Sequence, residues 1–423
     1  MLQAEGALAV AQARAGLIPR LAAEIIVSCC DADRFVPEEI GRKGRAQGNP
    51  VPPLVHSLTR AVSRVSEDAA GHVHKGATSQ DIMDTAAMLV CRNALGLVLD
   101  EIDGISAACA RLADTHRDTM MPGRTLLQQA LPTTFGKKAA GWLVSVLEVG
   151  TRLREVRESG LAVQLGGAAG TLASLGPAGT RVLAEFAREL RLMEPVVPWH
   201  TGRSRIAEIG SVLSLVAGVL GRISQDVILM AQTEVGEAAE PAGEGRGGSS
   251  TLPHKQNPVL SVTAVANVRR VFDLSHTLQA AMLGEHERAA GAWHSEWEAL
   301  SDALALTGGA ATNIREVMEG LEVYPEKMLE NLNTTGGLLL AENIATLAVE
   351  RLGRLRAHDL VEEASQRVLE GGNSLREELL SEPRLAEVLS EEEIDAALDP
   401  AGYLGSAGEF VDRALKLYRE GEI

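Results

Sequence analysis

A chain of 423 residues exceeds one ordinary domain, so two or three units around a large core are expected. The formal net charge of −17 excludes nucleic acid or an anionic membrane as the main partner, because both demand a basic face; a small anionic substrate remains compatible, since local charge sets a site. Aromatic residues make up only 3% beside abundant Ala, Leu, Glu and Arg, a balance that favours helix over sheet.

The first residues, MLQAEGALAVAQA, read as helix interior with no cap ahead of them, so an earlier natural start is expected. Cys29, Cys30, Cys91 and Cys109 show no metal spacing, and an adjacent pair makes a poor disulfide framework; they read as reduced core residues of a cytoplasmic protein. No unbroken apolar run reaches about 18 residues and no secretory leader is visible, so no membrane partner is expected. Residues 1–84 contain Pro37, the NPVPP run at 49–53 and the loop GHVHKGATSQD, and read as an N-terminal helical domain.

Long helices follow. From Thr85 to about His116, apolar residues fall at Leu95, Val98, Ile102, Ile105, Cys109 and Leu112. Trp142, Val146, Val149, Leu153 and Val156 repeat the spacing, and Ile209, Leu213, Val216, Leu220, Ile223, Val227 and Met230 extend it furthest. A sustained three-four alternation is a bundle seam. Two further stretches, about Pro258–Leu283 and Trp293–Leu321, complete a set of five. The expected fold is all-α, with a central bundle of five long helices at 85–331 and a small helical domain at 332–423. Ala- and Leu-rich faces on several helices predict bundle-to-bundle self-association.

Between helices lies GRGGSSTLPHKQNP, at 245–258. A Gly-Ser connection is usually a linker, yet this one ends in Asn257-Pro258, which reads as an N-cap followed by Pro at the first helical position. Lys255 stands beside that helix mouth, where a cation suits a bound anion better than it suits the helix. No phosphate-loop, nucleophile-elbow or S-x-x-K spacing is present. His72 and His74 form an H-x-H pair; with His254, His286 and His294 on other segments, hydrogen bonding is preferred to metal, and no cofactor is expected. Trp293 and Trp297, at i and i+4, read as packing. Arg246 reads equally as a substrate cation or a solvated loop residue.

GSSTLPHKQNP resembles the Gly-Ser-Ser-x-Met-Pro-x-Lys-x-Asn-Pro motif of the fumarase/aspartase superfamily, with Leu252 at the usual Met. HVHKGATSQD (72–81) and GRTLLQQALPTTFG (123–136) are similar to the other two superfamily regions, and the three occur in the family's order. Within the superfamily, stretches such as QLGGAAGTLASLG, PWHTGRSRIAE and GAWHSEWEAL resemble those of the 3-carboxy-cis,cis-muconate cycloisomerase branch. Relatives that expel an amine or hydroxide carry a histidine after the Thr of the second region; here Leu126 follows Thr125, whereas cycloisomerases more often carry Trp there.

The resemblance implies an elongated three-domain enzyme that assembles as a homotetramer, with each site built from three subunits around a small polycarboxylate. It implies Ser249 as the catalytic acid-base residue and Lys255 and Asn257 on the carboxylate beside the protonated carbon. Thr78, Ser79 and His74 would meet a second carboxylate, Thr125 and Gln129 would line the pocket, and Arg203 would add a cation. Glu287 and Ser250 are candidates for orienting neighbouring polar groups. The alternatives are an adenylosuccinate-lyase-like enzyme, against which Leu126 counts, and a non-catalytic helical scaffold, against which the joint survival of the motif residues counts.

Overall fold

The computed structural model describes every residue except 244–246, 249–251, 253–254 and 422–423. It is an all-α protein built on five long helices: Ser79–Thr115, Phe135–Glu155, Ser204–Met230, Val259–Ala280 and Ala292–Gly320. Every apolar position of the three expected seams is buried, from Leu95 through Val156 to Met230. The 3.6-residue period aligns those side chains along one stripe, and their burial supplies most of the helices' stability. The first and third long helices are long and apolar enough to cross a bilayer by composition, yet 50% and 56% of their most apolar windows are packed inside the protein.

Packing groups the residues into two compact units, and each long helix contributes to both. One unit holds residues 1–100, 151–217 and 267–308. One of its cores joins the N-terminal helix Leu2–Arg14 to Ile82 and Leu89 of the first long helix and to Val182, Phe186 and Leu190 of Gly179–Leu190. Four buried side chains from residues 163–175 (Val163, Leu165, Leu172 and Leu175) complete it.

The other unit holds residues 101–150, 218–266 and 309–423. In its C-terminal part, short helices pack around Ile344, Leu360, Leu379 and Ile394. Ser374 and Ser390 each cap one of these helices with a reciprocal Glu three residues on.

A β-hairpin interrupts the helical pattern in this unit, and nothing in the periodicity announced it. Strands Met120–Thr125 and Gln128–Thr134 pair antiparallel, with Thr125 opposite Gln128. The two-residue turn is Leu126-Leu127, both left-handed (φ 49 and 68), where such turns ordinarily take Asn-Gly. Gly136 then starts the second long helix flush against the end of the first. A Cβ there would lie 2.6 Å from the Arg117 Cα and 2.7 Å from two carbonyl oxygens.

Candidate active site

The first region becomes a tight turn leading into the longest helix. Thr78 precedes that helix, and its N–H donates to Asp81 Oδ2 (2.9 Å) three residues on. Asp81 is buried and also accepts from the N–H groups of Gly166 and Gly167 (2.9 Å each) and meets His200 Nε2 at 2.7 Å. One carboxylate thus pins the Thr78-Ser79 turn to the Gly166-Gly167 segment. The Thr78 hydroxyl is left to accept from Arg288 Nη1 (3.0 Å), while Arg288 Nη2 donates to the carbonyl of Ala168 (3.2 Å). Arg288 is half-buried and forms no ion pair with a carboxylate among the described residues. A guanidinium beside a hydroxyl at a helix N-terminus is a site for a carboxylate.

Arg203 fills a different place from the one expected. It is 3% exposed, and its Nη1 and Nη2 straddle Asp84 (2.7 and 3.0 Å) while Nε reaches Glu296 Oε1 (2.9 Å). Trp293 Nε1, Gln80 and Gln164 also donate to Asp84. The expectation that Arg203 supplies a substrate cation is therefore corrected: one guanidinium against two buried carboxylates leaves a net negative cluster, which repels a polycarboxylate. Burial opposes the Arg203 charge, but Asp84 and Glu296 outweigh it and hold the guanidinium above its usual range. Burial pushes Glu296 up, assisted by Asp84 and opposed by Arg203. The 180 Å³ cavity beside this cluster is lined mainly by apolar side chains, among them Met83, Ile206 and Leu300. The Trp293–Trp297 pair packs edge to face at 5.0 Å between ring centroids.

His74 is half-buried, with Nδ1 2.7 Å from Glu5 Oε1. His72 and His74 join no group of metal-type ligands among the described residues; the one such group there, His358, Asp359 and Glu362, is exposed. Glu287 lies exposed beside Arg288.

His74, Thr78, Ser79 and Arg203 belong to the first unit, and Thr125, Gln129, Lys255 and Asn257 to the second. In the second unit, Arg124 makes a bidentate pair with the buried Glu237 (2.8 and 2.6 Å). Asn331 donates to Glu237 (2.8 Å), and Gln129 Nε2 donates to the Asn331 carbonyl (3.1 Å). This chain of bonds holds the hairpin, so that Thr125 and the 97%-exposed Leu126 stand at its tip.

The glycine loop closes on itself. Asn257 donates through both its backbone N–H (2.9 Å) and Nδ2 (3.0 Å) to the Gly247 carbonyl, and Gly248 bridges Gln256. The helix mouth is not open as expected: the Glu240 carboxylate accepts from the N–H groups of Leu260 (3.1 Å) and Ser261 (2.7 Å). That capping carboxylate lies twenty positions upstream of Leu260, and no local cap signal pointed to it. Lys255 is exposed, and while its backbone N–H donates to the Leu252 carbonyl (3.0 Å), its ammonium has no partner among the described residues. Ser249, Ser250, Arg246 and His254 lie outside the described residues.

The family model described as Lyase matches residues 2–272, and the one described as Adenylosuccinate lyase C-terminus matches 337–414. The chain is 46% identical over 415 residues to a 3-carboxy-cis,cis-muconate cycloisomerase of Pseudomonas aeruginosa, covering 98% of this chain and 90% of the relative. It is 43% identical over 423 residues to a nitrosuccinate lyase of Streptomyces davaonensis, covering 98% and 89%. The crystal structure of the 3-carboxy-cis,cis-muconate lactonizing enzyme from Pseudomonas putida superposes with a TM-score of 0.94 at 42% identity, covering 99% of this chain and 94% of that one.

Proposed function

Because the chain belongs to the fumarase/aspartase superfamily of lyases, we propose that it is a 3-carboxy-cis,cis-muconate cycloisomerase. One substrate carboxylate adds to the β-carbon of an α,β-unsaturated acid, forming the C–O bond of a γ-lactone. The displaced electron pair passes into the second carboxylate as an enolate-like dianion, and a proton then arrives at the α-carbon. No atom is lost, so the reaction is an isomerisation to 4-carboxymuconolactone.

The observation that carries this reading is the hairpin tip. Thr125 is followed by Leu126-Leu127, two side chains that move no proton, where amine-expelling relatives need an acid. Read backwards, lactonisation expels a carboxylate, which leaves as a stable anion. The remaining demand is stabilisation of the dianion, which preorganised cations and N–H donors meet at about 3–4 kcal/mol for each good donor. We assign Lys255 and Asn257 to the carboxylate that becomes the dianion, and Ser249 to the proton. Arg288, with Thr78 and Ser79, takes over the cation role expected of Arg203, since its charge is uncommitted among the described residues. Thr125 and Gln129 line the pocket.

The assembly belongs to the same proposal. Val90, Leu97, Leu215, Val262 and Phe272 stand exposed on long helices, which suits a homotetramer of bundles working in the cytoplasm. Dilution to monomers would abolish turnover.

A second reading is favoured by the full-length similarity to the nitrosuccinate lyase, since nitrite also leaves as an anion without a proton. The test is a three-substrate assay with purified protein. Loss of the conjugated diene of 3-carboxymuconate in the ultraviolet, abolished by Ser249→Ala, supports the proposal. Fumarate from nitrosuccinate or adenylosuccinate, with no change in the muconate, refutes it.

A further inference from the structure

Glu5 is a buried acid in the first turn of the helix Leu2–Arg14, 2% exposed, and no reading of the motifs gives it a task. A buried carboxylate is costly unless a charge or strong donors face it. Its Oε1 lies 2.7 Å from His74 Nδ1, and its buried Oε2 has no hydrogen-bond partner. The turn around His74 is tied to the N-terminal segment twice more: Gln12 Nε2 donates to the Lys75 carbonyl (2.6 Å), and Lys75 Nζ donates to the Leu17 carbonyl (3.3 Å). His74 itself is left-handed, with φ 56, a conformation the neighbouring contacts must hold. Its Nε2 has no partner among the described residues.

We propose that Glu5 is the positioning residue of His74: it accepts the Nδ1 hydrogen bond, keeps the ring doubly protonated, and so leaves Nε2–H to donate to a substrate carboxylate. A neutral imidazole beside an ionised Glu5 would leave that charge buried with no cation against it, which desolvation disfavours. The role rests on the polycarboxylate reading above; the Glu5–His74 coupling does not.

The surrounding charges act in the same direction. Burial lowers the His74 imidazole, but the Glu5 hydrogen bond and charge, and then Asp81, outweigh it and raise the group above its ordinary value. Lys75, on the same turn, is engaged with the Leu17 carbonyl. On the far side of Glu5, burial pushes the Cys30 thiol up to about 12, so it stays neutral, and burial lowers the Met1 ammonium. The sign follows: the imidazolium is present below the raised value and is lost as pH climbs through it.

The experiment uses the full-length protein and Glu5→Gln, which retains an acceptor for Nδ1–H and removes the charge. Deuterium exchange at the imidazole C2 position, read by mass spectrometry against pH, gives each histidine's midpoint. In wild type, His74 titrates above the ordinary imidazole value; in Glu5→Gln its midpoint moves to lower pH. With 3-carboxymuconate, Glu5→Gln raises KM about tenfold at pH values between the two His74 midpoints with little change in kcat, and the gap narrows below both. A wild-type His74 midpoint at or below the ordinary imidazole value overturns the proposal without any variant. So does an unmoved midpoint in Glu5→Gln, or a KM gap independent of pH. A wild type inert on the muconate sinks the cycloisomerase reading but leaves the exchange result to judge the coupling.

Discussion

Replacing Arg203 with methionine tests the correction made at that residue. The change removes the one cation between Asp84 and Glu296 while keeping similar length and bulk. Removing one partner of a buried ion pair costs about 3–5 kcal/mol, because the remaining charges stay desolvated and uncompensated. An unfolding entropy of about 2.1 cal/mol/K per residue gives this chain about 0.9 kcal/mol/K in all, so Tm should fall by about 3–6 °C. The fall should depend on pH. Burial already raises Glu296, and without Arg203 it rises further. A carboxyl raised in the folded state is most favourable to stability when protonated, and that benefit disappears as pH rises through its folded value. The Tm deficit should therefore be largest near pH 8 and shrink toward pH 5.5. Calorimetry of wild type, R203M and the triple variant D84N/R203M/E296Q across that range is the assay. The triple variant, with none of this cluster's charges left, should recover part of the loss despite two more substitutions. An R203M protein within 1 °C of wild type at pH 8, or a triple variant less stable than R203M, refutes the reasoning. So does an R203M enzyme whose KM rises as far as that of an Arg288 variant at a temperature where both are folded.

Arg288→Ala removes the cation at Thr78 and should raise KM by about 10- to 100-fold with little change in Tm, as loss of a charge-assisted hydrogen bond does; steady-state kinetics check it. Gly76→Ala should destabilise by about 1–3 kcal/mol in thermal or denaturant unfolding. At φ +72 the new Cβ comes within 2.7 Å of the Cγ of buried Leu175. Replacing Leu126-Leu127 by Asn-Gly relieves two left-handed leucines at the hairpin turn and should raise stability by about 1–2 kcal/mol; a lower Tm would contradict the assigned turn.

Local regularity carried the helical architecture into the primary structure. Ile209 through Met230 recur at three and four residues because one face of that helix is buried, and a period survives in sequence whatever lies opposite. The three motif regions were legible for a similar reason, since each is a short contiguous run of special residues. The hairpin was not, because Leu126-Leu127 lacks the Asn-Gly chemistry that marks such a turn, and its strands are held instead by Arg124–Glu237 across 113 positions. The mouth of the fourth long helix looked open because its cap, Glu240, lies outside any local capping pattern.

The site's electrostatics turned on still longer range. Arg203 and Arg288 are equally plausible cations along the chain. Asp84 lies 119 positions from Arg203 and Glu296 lies 93, and folding brings both onto that one guanidinium. Arg288 meets a hydroxyl and carbonyls instead. Whether a charge is neutralised or available depends on which distant partners share its low-dielectric surroundings, and residue spacing along a chain does not encode that distance.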